Sequence, residues 1–107
     1  MAWTITFLDD RVEAELEVQP DDIRASFERI AHVVTNAGLD RLPAKYARHL
    51  QGKLWELRMT GRDGIARALY VTASGKRVVV LRVFTKKSEK TPRSEIELAL
   101  KRAQEIE

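Results

Sequence analysis

The chain contains no cysteine, which excludes disulfides and any thiolate-held zinc or iron–sulfur centre. It has two histidines, His32 and His49, too few and too far apart for a metal cage. No metal and no cofactor are therefore expected. No apolar run approaches the roughly 20 residues that span a bilayer. The opening Met1-Ala2-Trp3-Thr4 lacks the basic and then apolar pattern of a secretory leader. A cytoplasmic protein without membrane contact is the expectation. No repeat, linker or low-complexity segment breaks the chain, so the 107 residues are expected to form a single domain, 1–107, around one modest core.

What is present is charge, and it is unevenly spread. The net charge is only +3, with 33% of residues charged and 44% hydrophobic. Within 1–44, four arginines stand against nine acids, a balance of −5, whereas within 45–93 thirteen Lys/Arg stand against Glu56, Asp63 and Glu89, a balance of +10. The remainder, 94–107, carries −2, with two cations and four acids. A basic block inside the folded part of a chain is the electrostatic footprint of a phosphate-rich partner. A basic surface that only aids solubility is the alternative.

The hydrophobic pattern orders the elements. Trp3-Thr4-Ile5-Thr6-Phe7 alternates like a half-buried strand. Asp9 and Asp10 can cap a short helix carrying Val12 and Leu16, and Pro20-Asp21-Asp22 opens a longer one. Ile23, Phe27, Ile30, Ala31 and Val34 form its apolar stripe, and Asn36-Ala37-Gly38 ends it. A short helical turn is expected over 44–50. Three apolar-rich segments follow, 53–59, 65–72 and 77–84, joined by turns too short for anything but antiparallel pairing. The uninterrupted Val78-Val79-Val80-Leu81 predicts a central strand covered on both faces. Thr91-Pro92 suits the start of a last helix, Thr91 as cap, with Ile96, Ala99, Leu100 and Ala103 as its stripe. The expected class is α+β: a mainly antiparallel four-stranded sheet with helices packed on one face, the other face partly open.

Alternation in Leu54-Trp55-Glu56-Leu57-Arg58-Met59 puts Glu56 and Arg58 on one face and Trp55, Leu57 and Met59 on the other. Arg67 interrupts the apolar run Ile65-Ala66-Arg67-Ala68-Leu69-Tyr70, so it must be partnered or face an open groove. A cross-strand ion pair of Glu56 with Arg67 or Arg58 is the plainer reading and is compatible with function. Lys86, Lys87, Lys90 and Arg93 crowd the approach to the last helix, a place that favours anions, so a bound phosphate would explain them; a solvated basic turn is the alternative. Lys53, Arg82, Lys45 and Arg48 are positioning contacts to RNA or plain surface cations. Tyr70 is a candidate to stack a base, and so is Trp55, although strand positions favour core for both.

Lys53-Leu54-Trp55-Glu56-Leu57-Arg58, then Arg67-Ala68-Leu69-Tyr70, then Val79-Val80-Leu81-Arg82-Val83-Phe84-Thr85-Lys86-Lys87 and Lys90-Thr91-Pro92 together resemble the RelE/ParE superfamily of toxins, nearest its phage-associated, HigB-like branch. The resemblance runs over nearly the whole chain. It implies a RelE-like, microbial RNase-like fold and metal-independent cleavage of mRNA in the ribosomal A site, the ribose 2′-hydroxyl attacking the adjacent phosphate. It implies that Arg67 is the central phosphate-binding arginine, that Glu56 and Arg58 fill the two polar positions of the preceding strand, and that Lys87 donates to the leaving oxygen or stabilises its charge. On chemical grounds Glu56 is a candidate to accept the 2′-hydroxyl proton. Arg93 stands where relatives carry a tyrosine or histidine. The implied partners are the ribosome with its mRNA and a helix-turn-helix, HigA-like antitoxin, a heterotetramer being one form of that complex. The superfamily also holds ParE-type toxins that act on DNA gyrase without cutting nucleic acid. That activity, or an inactive RNA-binding role, is the competing expectation.

Overall fold

A computed structural model describes residues 2–86 and 90–106. The elements run β1 (Thr4–Phe7), α1 (Asp10–Glu17), α2 (Asp21–Ala37), β2 (Ala47–Gln51), β3 (Leu54–Gly61), β4 (Gly64–Ala73), β5 (Arg77–Thr85) and α3 (Arg93–Ala103). Two single 3-10 turns, Leu39–Arg41 and Ala44–Tyr46, join α2 to β2. The expected α+β class and order of elements hold.

Each start and stop has a local cause. Asp9 caps α1 by accepting from the backbone N–H groups of Arg11 and Val12. The Arg11 guanidinium bonded to that carboxylate holds its pKa below the ordinary value. Gly38 closes α2 at φ +104°, a conformation costly for residues with a Cβ, and its N–H bonds back to the carbonyls of Val33 and Val34.

The sheet has five strands rather than four, in the order β1-β5-β4-β3-β2. The added member is β2, antiparallel to β3 from Ala47 opposite Leu57 to Gln51 opposite Leu54. The helical turn expected there shrinks to Ala44–Tyr46, because the following residues gain ladder bonds at the sheet edge. β1 pairs in parallel with β5, and every other pairing is antiparallel. β5 lies between β1 and β4, and Val78, Val79, Val80 and Leu81 are all buried, as their apolar run predicted.

Helices cover both faces. The stripe of α2 packs with Val12 of α1 on Leu57, Met59, Ala66, Ala68, Tyr70, Val78 and Val80. α3 lies on the opposite face, with Ile96, Ala99, Leu100 and Ala103 against Leu69, Val71, Val79 and Leu81. The expectation of helices on one face is thus corrected. The apolar stripe of α3 needs a surface of its own, and α1 and α2 already occupy the first.

A bulge between β4 and β5 sets Leu69 opposite Arg82 and Tyr70 opposite Val80. Arg82 there bonds Glu95 of α3 at 2.7 Å and Glu15 of α1 at 2.9 Å. Glu15 also accepts from the Val83 N–H and pairs with Arg102 at 3.0 Å. This cluster ties α1 and α3 to β5, which β1 flanks only as far as Val80.

Candidate functional site

α3 covers only part of its face. β3 turns Leu54, Glu56, Arg58 and Thr60 toward that side, and β4 turns Ile65, Arg67, Leu69 and Val71 the same way. Beyond the helix, a concavity of about 340 Å³ opens over the end of the sheet. It is lined by Lys45, Tyr46, Arg48, Arg58, Thr60, Ile65, Arg67 and Lys86. Five of the eight are cations and none is a carboxylate. An arrangement of this kind attracts and orients an anion.

Arg58 and Arg67 sit directly opposite one another in the β3–β4 ladder. Like charges in that register repel. Glu56 resolves the conflict. Its Oε2 accepts from Arg58 Nε at 3.3 Å, and its Oε1 lies 3.5 Å from an Arg67 terminal nitrogen. The Thr91 hydroxyl, from the segment before α3, donates to Glu56 Oε1 at 2.5 Å and accepts from Arg67 at 2.7 Å. Glu56 is 0% exposed and Arg67 1%, so the pair is fully desolvated. Both of the expected ion pairs therefore form, and they form beneath a cavity. Arg67 reaches its floor, and Arg58, with a third of its side chain exposed, reaches its wall.

The structure sorts the other sequence candidates. Lys86 lines the cavity. Lys87 lies outside the described residues. Lys90 and Arg93 are exposed and outside the lining, Arg93 bonding Glu97 and Gln51. Lys53 is exposed in the β2–β3 turn, at the far end of β3 from Arg58. Arg82 is not a phosphate contact: Glu95 and Glu15 hold it, and their hydrogen bonds and charges raise its pKa. Tyr70 cannot stack a base, because it is 2% exposed on the α2 side, where burial pushes its phenol up to about 12. Trp55 is 39% exposed, edge-on to His49 at 5.1 Å, and outside the cavity lining.

Tyr46 and the role of Thr91 escaped the sequence reading. Tyr46 joins the cavity with Lys45 and Arg48, both expected as contacts or plain surface, because β2 is a strand whose start borders it. Thr91 was expected to cap α3. Pro92 holds the cap position without a side-chain bond, while Thr91 serves Glu56 and Arg67. Its place directly before Pro92 was the one available signal, since a residue there is held extended, away from helical backbone.

Residues 14–104 match the family described as Phage derived protein Gp49-like (DUF891), and the chain belongs to that family. Among curated proteins none matches. Among solved structures, the chain is similar to one in the crystal structure of the archaeal RelE-RelB complex from Pyrococcus horikoshii OT3. The identity is 19% over 79% of this chain and 96% of that one, with a TM-score of 0.57. The fold is therefore RelE-like, as the resemblance implied.

Proposed function

We propose that this Gp49-like protein is the toxin of a toxin–antitoxin pair and a ribosome-dependent endoribonuclease that cleaves mRNA without a metal. One observation carries the reading: Arg58, Arg67 and Lys86 converge on a single cavity with no carboxylate among its described lining residues, and a buried carboxylate fixes the two arginines. Fixed guanidinium donors stabilise the anionic phosphorane formed as the 2′-oxygen attacks phosphorus and the bond to the 5′-oxygen breaks. The 2′-oxygen gives its proton to solvent water in the open cavity, and Lys87 delivers one to the 5′-oxygen.

In this scheme Arg67 and Arg58 bind the scissile phosphate, and Lys86 adds positive charge at its rim. Lys87 keeps the proton-donor role that the family resemblance implies. Glu56 is assigned a positioning role instead of that of a base. It is out of reach of solvent, and Arg58, Arg67 and Thr91 already engage its oxygens. Lys45 and Arg48 extend the positive surface toward the ribosomal RNA.

The partner is proposed to be a helix-turn-helix antitoxin offering an acidic segment to the basic cavity. Among the described residues no helix is long and apolar enough to cross a membrane. Action in the cytoplasm, where ribosomes are met, follows from the proposal.

The test is primer extension on mRNA held in programmed ribosomes. The wild-type protein should cut within the A-site codon, and Arg67→Ala should cut roughly 10²- to 10³-fold more slowly. An uncut message, together with loss of gyrase supercoiling on adding the protein, would overturn the reading in favour of a gyrase-directed toxin.

A further inference from the structure

A second hollow, of about 130 Å³, adjoins the basic cavity and shares Tyr46 and Thr60 with it. The two residues form a rim, with the cations on one side. On the other side lie Ser26, Arg29, Ile30 and Val33 of α2 and Leu42. Ile30, Val33 and Leu42 give this second hollow an apolar wall, beside Ser26, Thr60 and one guanidinium. We infer that it is a nucleobase subsite, Tyr46 supplying the stacking surface for a base next to the bound phosphate. The inference rests on the phosphate cavity proposed above and adds to it the recognition of a single-stranded RNA base.

Tyr46 is built for such a role. It closes the 3-10 turn Ala44–Tyr46, with its N–H bonded to the Pro43 carbonyl, so its backbone is fixed. One side of the residue packs on the α2-side core while the rest stays accessible. Among the described residues its hydroxyl makes no hydrogen bond. The ammonium of exposed Lys45 lies over the ring face, 5.0 Å from its centroid, so a stacking base takes the place of a flexible side chain that can turn to the adjoining phosphate. A cation over a partly exposed ring, where a cation-lined cavity meets a hollow walled by Ile30, Val33 and Leu42, matches the two halves of a nucleotide. Single-strand binders combine the same elements, a basic track for the backbone and aromatic faces for the bases.

The experiment measures binding of short RNAs methylated at every 2′-oxygen, so that attack is blocked. One carries all its bases and others carry a single abasic position, with inorganic pyrophosphate as competitor. The intact RNA should bind roughly 5- to 150-fold more tightly than the best-placed abasic one, the range set by stacking of one base on an aromatic side chain. Tyr46→Leu should erase that difference, Tyr46→Phe should keep it, and pyrophosphate should compete equally well against all three proteins. Equal binding of intact and abasic RNA to the wild-type protein, with pyrophosphate still displacing both, would overturn the base subsite and leave the phosphate cavity standing. Binding that neither pyrophosphate nor Arg67→Ala affects would overturn both.

Discussion

The Thr91 hydroxyl stands between Glu56 and Arg67, donating to the carboxylate at 2.5 Å and accepting from the guanidinium at 2.7 Å. A residue just outside α3 thereby locks two strands together at the floor of the basic cavity. Hydrogen bonds to charged groups are each worth about 1.5–3 kcal/mol. Thr91→Val keeps the shape and removes both bonds. Its expected effect is a loss of about 3 kcal/mol in urea unfolding and a roughly 10- to 100-fold fall in kcat with little change in KM. Thr91→Ser should restore most of both. If kcat of the valine variant stays unchanged, Thr91 has only a structural role.

Glu56 separates two guanidiniums that the ladder sets opposite each other, so its charge matters beyond its bonds. Glu56→Gln removes the carboxylate that lies between buried Arg67 and Arg58. Breaking a buried pair in this way costs about 3–5 kcal/mol. Denaturant midpoints of Glu56→Gln, Arg58→Gln and the double variant test the point. The double variant should be more stable than Glu56→Gln, because neutralising Arg58 removes the repulsion. Simple additivity of the two changes would refute the bridging role.

What the sequence made legible divides along the range of the interactions. The α2 stripe of Ile23, Phe27, Ile30, Ala31 and Val34 could be read because helical periodicity alone sends it to the core. Glu56, Arg58 and Arg67 could be placed on one face because strand alternation is local. β2 could not be seen: Ala47-Arg48-His49-Leu50-Gln51 has no clear apolar alternation, and its ladder to β3, not its own pattern, makes it a strand. Thr91 looked like a helix cap because its partners lie 35 and 24 residues away. Arg82 looked like a surface cation for the same reason, its partners being on α1 and α3. β3, β4 and the pairing of Glu56 with the two arginines were visible, and Thr91, which locks them, was not.

Arg102 is the tie between the C-terminal helix and the rest of the molecule. One of its terminal nitrogens bonds both Glu15 oxygens, at 3.1 and 3.0 Å, and the Leu81 carbonyl at 2.8 Å. Arg102→Met keeps the length of the side chain and strands Glu15 with Arg82 alone. Because this pair keeps some solvent exposure, the expected loss is about 3 kcal/mol, the low end for a buried pair. Cleavage per folded molecule should hold, since Arg102 is not among the residues that line the cavity. A loss of cleavage larger than the loss of folded protein would show that α3 transmits strain to the site.

Stability should also fall in acid, through two carboxylates held by backbone N–H groups. Asp22 accepts from the Arg62 N–H at 2.5 Å, closing the β3–β4 turn against α2, and that bond lowers its pKa. Asp9 is lowered by the Arg11 side-chain bond and by its capping bonds. A carboxylate whose folded pKa lies below its unfolded value of about 3.9 contributes stability that is complete above the unfolded value. That contribution disappears as pH falls through the folded one. Denaturant midpoints should therefore be insensitive to these two groups between pH 5 and 7 and should decline below about pH 4. In Asp22→Asn the decline should be shallower, because the amide cannot titrate. The turn itself offers a steric check, since a Cβ at Gly61 would lie 2.7 Å from an Asp22 oxygen. Gly61→Ala should push that carboxylate off the Arg62 N–H, destabilise the fold at pH 7 and flatten the acid limb as Asp22→Asn does. An acid limb as steep in both variants as in the wild type would place the titrating groups elsewhere.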